Sequence, residues 1–445
     1  MRLLVILAAL LLAAPVHAQS VKAEPIQPEP VQPEPIQAEV AGERPLPHLV
    51  VDLTNDRVLD AQGAFDPWHP ASLTKMMTAY TVLRAVEQGR FDADTPIMMT
   101  WWASQQSPSK MGYRPGTLIP LKDALAMLMV KSANDVAMAI AETVGGSTEG
   151  FAAMMNEEAR QLGMTSSYFV NPHGLHHPRQ VTTARDMALL VRALDRYPKW
   201  AWLYSAPAIR EASAKEGGLN LRKPRTYASF NKLLGRFSGA DGMKTGFVCA
   251  SGFNLAGTAT RDGRRLLAIV FGRNNGTDRA VEAARLLQLG FEGIARGGAK
   301  GATLAELKPD GAVPSDPRNM RDAICETQNP PRVEPLQALP DGVQGPPGPP
   351  RVWLDPPPAG VTPLTVRTAG YASPWPDYAA FQTLPVPSAR PADPPIDGEP
   401  VARSDGMTVP VPRPGGETEQ AAAPATTVPP AAVPANAVPA ATARQ

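Results

Sequence analysis

The sequence predicts an α+β fold in which an antiparallel sheet is covered by helices and carried between disordered Pro-rich arms. Strand signals stand at both ends of one segment, at Leu49–Leu53 and again at Asn254–Thr260 and Arg265–Phe271. The stretch between them carries helical periodicity. Prolines mark the limits of that segment: of 50, eight lie before residue 48, eleven in 48–300 and 31 in 301–445. One ordered domain of about 250 residues therefore lies between two segments that cannot pack a core.

The elements follow in order. Leu49–Leu53 is a strand, and Thr54-Asn55-Asp56 turns it into a second at Arg57–Ala61. Residues 71–88 are helical, with Leu73, Met76, Met77, Tyr80 and Leu83 on one stripe. Residues 121–143 and 149–163 form further helices, separated by Gly145-Gly146, and 183–195 another. Gly239–Met243 reads as a turn leading into an edge strand at Lys244-Thr245-Gly246. Asp262-Gly263 between two apolar runs is a hairpin signal. An amphipathic helix over 278–293 closes the domain.

Composition excludes several function classes. Lys and Arg number 43 against 42 Asp and Glu, a net charge of +1, so no strong field recruits nucleic acid. Two cysteines build neither a disulfide framework nor a Cys-based zinc site. His173, His176 and His177 cluster without a carboxylate or cysteine at ligand spacing, so no metal is expected. No phosphate-binding glycine loop is present, and no cofactor is expected.

The termini set the expected compartment. Residues 1–18 carry Arg2, an apolar run from Leu3 to Ala14, and small residues at Val16 and Ala18, the pattern of a cleaved secretory signal. Residues 19–45 hold a Pro-Glu repeat with Glu24, Glu29, Glu34 and Glu39 five apart, which favours an extended spacer. The mature chain is then expected outside the cytoplasm, where a Cys249–Cys325 disulfide can form; two separate thiols remain the other reading. Residues 296–330 read as a short extension and 331–445 as a Pro/Ala-rich tail. Within the tail lie the collagen-like triplets GVQGPPGPP and the scattered Trp353, Trp375, Tyr378 and Phe381. The last residues lack a Lys-rich amphipathic face, so no stable membrane anchor is expected.

Three motifs carry chemistry. Ser72-Leu73-Thr74-Lys75 opens the first helix, and a spacing of three sets the lysine one turn above the serine on the same face. A serine needs a base to become a nucleophile, and a lysine whose pKa is lowered can serve. An ordinary N-cap serine gives the same pattern. Ser132-Ala133-Asn134 follows an apolar run and offers a second hydroxyl and an amide, but also reads as a helix cap. Lys244-Thr245-Gly246 puts a cation, a hydroxyl and space for close approach on a strand edge, or is a solvated surface strand.

In this order the three match the motif set of penicillin-recognising serine enzymes. The chain from about 47 to 295 resembles the D-alanyl-D-alanine carboxypeptidases of the low-molecular-mass penicillin-binding proteins, serine peptidase family S11. The resemblance extends to Pro70–Thr78, Ser132–Asp135, Phe151–Gly163, Phe169–Leu175 and Asp241–Phe247. It implies a serine β-lactamase/DD-peptidase-like fold over 46–295. It implies Ser72 as nucleophile on the bond between two terminal D-alanines of a peptidoglycan stem peptide, Lys75 as general base and Ser132 as proton relay. Asn134 would hold a substrate amide, and Lys244 and Thr245 the terminal carboxylate or the relay. Backbone N–H groups of Ser72 and Phe247 would form the oxyanion hole beside Gly246, and Arg279 would help hold the carboxylate. β-Lactams would be covalent inhibitors at Ser72.

A class A-like β-lactamase shares the motifs but needs a glutamate for deacylation, and Ser166–Asn171 contains none. A DD-endopeptidase would use the same residues. A catalytically silent cell-wall-binding protein is the non-enzyme reading, against which the three intact motifs argue.

Overall fold

The computed structural model describes residues 44–212, 224–295, 301–326, 354–355 and 360–371. The chain divides into two compact units, Met1–Trp375 and Pro376–Gln445, and the second lies wholly outside the described residues. Outside them too lie the expected signal, all of the spacer but residues 44 and 45, the collagen-like triplets and the four tail aromatics.

The first strands are β1 (His48–Asp52) and β2 (Arg57–Gln62). The Asp52 carboxylate accepts from the Thr54 amide at 2.9 Å, which nucleates the turn between them. A 3₁₀ turn at Ala71–Leu73 runs into α1 (Thr74–Glu87). Next come β3 (Pro96–Met98), α2 (Trp101–Ser104) and β4 (Thr117–Pro120), then α3 (Leu121–Ala126) and a π-helical turn at Met127–Lys131. Helices α4 (Asn134–Gly145), α5 (Thr148–Gln161) and α6 (Ala184–Leu194) complete the helical middle. Ser147 and Thr183 cap α5 and α6 by accepting the Gly150 and Asp186 amides.

After α7 (Trp202–Ser205) come β5 (Ala208–Glu211), β6 (Thr226–Ala228), β7 (Ala240–Val248), β8 (Gly252–Arg261), β9 (Arg264–Arg273) and α8 (Asp278–Ala295). Asp262 and Gly263 both take positive φ, 49° and 75°, as a two-residue hairpin between β8 and β9 requires. Two short strands, β10 (Leu364–Val366) and β11 (Gly370–Tyr371), pair with β5 and β4. They fall inside the stretch that the sequence assigns to a disordered tail.

The main sheet has the order β2-β1-β9-β8-β7, antiparallel throughout. Alternation along β9 divides two cores. Leu267, Ile269 and Phe271 join the cluster of α1, α4 and α6, while Leu266, Ala268 and Val270 pack with Ala280, Ala284 and Leu287 of α8. Both faces are thus covered, and β7 is left as an edge strand.

Two sequence expectations are corrected. The helix expected over 121–143 is interrupted, because Ser132 adopts a left-handed conformation (φ 60°, ψ 37°) between the π turn and α4. The turn expected at 239–243 is already strand from Ala240. Beyond α8 the chain folds back on the sheet. The Val58 amide donates to Ala302 O and the Leu304 amide to Asp56 O, and Leu304 is fully buried. The Met320 amide donates to Ala250 O, and Cys325 is disulfide-bonded to Cys249, Cα–Cα 5.7 Å. The open question of the two cysteines is thereby settled as a bridge.

The bridge closes a long loop (sequence separation 76) and constrains the unfolded chain, an effect typically worth about 2–4 kcal/mol. Replacing both cysteines by Ala is expected to lower the melting temperature by about 5–15 °C. Differential scanning calorimetry, with thiol titration of the denatured unreduced protein showing no free thiol, checks it.

Candidate active site

The segment ahead of Ser72 is fastened from several sides. Trp68 stacks on Phe271, its indole N–H donates to Ser251 O at 3.1 Å, and its backbone pairs with Thr182. Asn254 of β8 donates to His69 O at 3.0 Å and accepts the Gly272 amide at 3.1 Å. These bonds hold Ala71 at φ 47°, a conformation that non-glycine residues adopt only when their surroundings impose it. Gly174 (φ 86°) lies so close that a Cβ there would stand 1.9 Å from Ala71 O. Ser72 thus sits at the head of α1 on a tightly determined backbone.

Lys75 is fully buried one turn later. Its Nζ reaches Ser72 Oγ at 2.9 Å, Asn134 Oδ1 at 2.7 Å and His173 O at 2.5 Å. Asn134 Oδ1 and the His173 carbonyl are acceptors only, whereas a serine hydroxyl both donates and accepts. A neutral amine has two N–H bonds and one lone pair. It satisfies all three contacts if it donates to Asn134 and His173 and accepts the hydroxyl proton of Ser72. Burial lowers the Lys75 pKa well below the ordinary lysine value, Lys244 lowers it further, and Asp135 opposes them. The three contacts suit the amine in either protonation state, and burial together with the Lys244 charge favours the uncharged one.

Ser132 takes its left-handed turn where the apolar run Met127–Val130 is buried in the core, and its hydroxyl meets β7. Lys244 Nζ donates to Ser132 Oγ at 2.9 Å and to Thr245 O at 3.0 Å. Burial first, and then the Arg279 charge, bring the Lys244 pKa down to about 7. Burial also brings Arg279 down to about 10. A Cβ on Gly246 would stand 2.7 Å from Pro70 O and 3.2 Å from the amide nitrogens of Ser72 and Leu73. Glycine at this position lets β7 run against the head of α1.

The residues singled out by sequence thus form two hydrogen-bonded groups. One is Ser72, Lys75 and Asn134; the other is Ser132, Lys244 and the Thr245 carbonyl; Gly246 brings the strand of the second against the first. Phe247 is 42% exposed and stacks on Phe253 at 4.1 Å. Two residues also make contacts within the protein that the sequence did not foretell. Asn134, expected to face a substrate amide, has both ends engaged within the protein, since its Nδ2 donates to Ser107 O at 2.9 Å. Arg279 donates to the backbone carbonyls of Gly246 (3.0 Å), Asn254 (3.4 Å) and Phe230 (3.4 Å), so it braces the strand.

Sequence reasoning also missed supporting groups. His173 enters through its carbonyl, which no side-chain pattern advertises. Asp135 is fully buried and accepts the amides of Met111, Gly112 and Val136, tying the loop that carries Ser107 and Ser109 to α4. The adjacency of Asp135 to Asn134 was the available signal. Among the described residues no three His, Cys, Asp or Glu side chains gather as a metal-binding group, and no helix is long and apolar enough to cross a membrane.

Comparison with known proteins places the chain in a family. Residues 36–275 match the family model of the S11 peptidases, described as D-alanyl-D-alanine carboxypeptidase. D-alanyl-D-alanine carboxypeptidase DacC of Escherichia coli K12 is 33% identical over 269 residues, 59% of this chain and 63% of the relative. The chain thus spans less than two thirds of that curated relative. The crystal structure of DacD from Francisella tularensis aligns over 55% of this chain and 70% of its own, at TM-score 0.52 and 28% identity. Penicillin binding protein 5 from Haemophilus influenzae aligns over 56% and 70%, at TM-score 0.50 and 30% identity. Because the family model covers more than half of the chain, this protein belongs to the S11 family of D-alanyl-D-alanine carboxypeptidases.

Proposed function

We propose that the chain is a serine-type D-alanyl-D-alanine carboxypeptidase that removes the terminal D-alanine from peptidoglycan stem peptides. The observation that carries this reading is the 2.9 Å contact between Ser72 Oγ and a fully buried Lys75 amine to which, among the described residues, no carboxylate is bonded. Only a base that holds no proton at rest can take one from a serine.

The steps balance as an acyl transfer. The stem peptide lies along the free edge of β7, adding a strand by backbone hydrogen bonds. Ser72 Oγ attacks the carbonyl before the last D-alanine, and its proton passes to Lys75 Nζ. Backbone N–H groups of Ser72 and Phe247 stabilise the oxyanion. The C–N bond breaks as Ser132 gives its proton to the departing amine and takes in its place the one held by Lys75, with the Lys244 ammonium donating to its oxygen, so that Lys75 is again the neutral base that activates water. D-Alanine leaves, and water then attacks the ester, giving the shortened peptide and free Ser72. Thr245 and Gly246 line the strand that receives the leaving residue, while Asn134 holds Lys75 and Arg279 holds the strand. The structural neighbour from Haemophilus influenzae is a penicillin binding protein. The same property in this chain makes β-lactams covalent inhibitors at Ser72.

The arms belong to the same reading. Residues 1–18 direct export to the periplasm, 19–45 space the catalytic domain at 46–295 from its start, and 331–445 form a Pro/Ala-rich tail whose strands β10 and β11 pair with β5 and β4. Within the extension at 296–330, residues 301–326 return to the sheet.

Ser72→Ala is expected to abolish labelling by a fluorescent penicillin and to lower D-alanine release by at least about 10³-fold, with an unchanged melting temperature. Mass spectrometry of stem peptides checks the product. Loss of one alanine supports the reading, whereas conversion of dimers to monomers would replace it by endopeptidase activity.

The pH profile follows from the two lysines. Raising the pH deprotonates Lys75, so kcat/KM rises through a pKa well below the ordinary lysine value. Above about 7 Lys244 loses its proton, so the profile falls again. Lys75→Arg stays charged and is expected to lose about 10²–10⁴-fold together with the acid limb. Lys244→Arg is expected to move the alkaline limb upward. Stopped-flow acylation across pH reads both.

A further inference from the structure

Residues 364–371 of the tail meet the catalytic domain as a strap with two attachments. β10 lies parallel to β5, with Leu364 beside Ile209 and Val366 beside Glu211, and the Ala212 amide donates to Val366 O at 2.8 Å. Val366 is 1% exposed and joins the main core. β11 lies antiparallel to β4, with Gly370 beside Leu118, and the Ala369 amide donates to Leu118 O at 2.7 Å. Between the two attachments the Arg367 amide donates to the carboxylate of Asp123, a buried residue in the first turn of α3. β10 and β11 are thus outer strands of two three-stranded sheets, β10-β5-β6 and β11-β4-β3. A two-stranded ribbon is marginal alone, and a third strand with a buried side chain steadies it.

Both sheets bear on the segment that ends at Ser132. β4 runs without a break into α3 and the π turn, so its position sets where residues 121–131 begin. β5 and β6 both pack against that π turn. Ser132 follows at φ 60°, a conformation that a serine keeps only where its surroundings over-determine it. The strap holds the start of the segment through β4 and Asp123, and its end through β5. Ser72 and Lys75 are fastened by other groups, Asn254, Gly174 and the His173 carbonyl. Release of the strap therefore bears first on the second hydroxyl and leaves the nucleophile and its base in place.

We propose that residues 364–371 are a positioning element of the active site: by completing the sheets of β5 and β4 they fix the segment that presents Ser132, and so set how well its hydroxyl protonates the departing amine. This inference rests on the peptidase reading above and brings part of the Pro/Ala-rich tail into the catalytic unit.

Two substrates with one acyl part test it, an acyl-D-alanyl-D-alanine peptide and an acyl-D-alanyl thioester. The peptide needs a proton on its leaving nitrogen, whereas a thiolate departs without one. Single-turnover acylation is measured on the full chain carrying Val366→Asp, which puts a carboxylate into the core and expels β10, or Ala369→Pro, which removes the amide that bonds Leu118 and leaves the core untouched. The two are also combined, and hydrogen exchange at 364–371 reports release of the strap. The released variants are expected to slow acylation by the peptide about tenfold or more and to stay within about twofold on the thioester, the same split that Ser132→Ala shows more strongly. If Val366→Asp fails to fold, Ala369→Pro carries the comparison. Equal losses on both substrates, or an unchanged peptide rate in the combined variant, would overturn the proposal and leave the strap as packing. If wild type turns over neither substrate in a Ser72-dependent way, the peptidase reading falls, and this inference with it.

Discussion

Two buried amines constrain the rest of the site. Burial lowers the pKa of both Lys75 and Lys244; the Lys244 charge lowers that of Lys75 further, and the Arg279 charge that of Lys244. Leaving a buried ammonium unpaired costs several kcal/mol, so burial favours shedding a proton. Asn134 Oδ1 and the His173 carbonyl accept from the Lys75 amine but supply no full negative charge. Asp135 supplies one at longer range and is occupied by three backbone amides. A carboxylate in direct contact with Lys75 would hold its proton and silence the base.

That electrostatic arrangement explains the fold around it. The lysines come from α1 and β7, which are far apart in sequence, so a rigid body must bring them together. The alternating residues of β9 bind the helical middle on one face and α8 on the other. Arg279 of α8 reaches through to brace β7, and Asn254 of β8 holds the backbone ahead of Ser72. Each layer therefore contributes one fastening to the cleft. The edge position of β7 is the remaining requirement, since a strand paired on both sides could not accept a peptide.

Much of this was legible in the sequence where the physics is local. Asp262-Gly263 announced its hairpin because two successive positive φ values need such residues. The three-residue spacing of Ser72 and Lys75 foretold their contact because one helical turn fixes it. Long-range and backbone-borne features were not legible. The run Met127–Lys131 continues a helical stripe, and nothing in it signals that Ser132 turns left-handed. Strands β3 and β4 are too short to show a period. The exposed-looking Arg279 is buried because the carbonyls that receive it come from elements far away in the chain. The partnership of Cys249 and Cys325 depended on where residues 301–326 travel, and proline content gave no direction for that path.

The bridge between Cys249 and Cys325 has a topological consequence as well as an energetic one. It joins the loop just after β7 to a point beyond α8, so β8, β9 and α8 all lie within the ring it closes. A protease that nicks the backbone once anywhere inside that ring separates no fragment: both pieces remain covalently linked, with the sheet and its covering helix still attached.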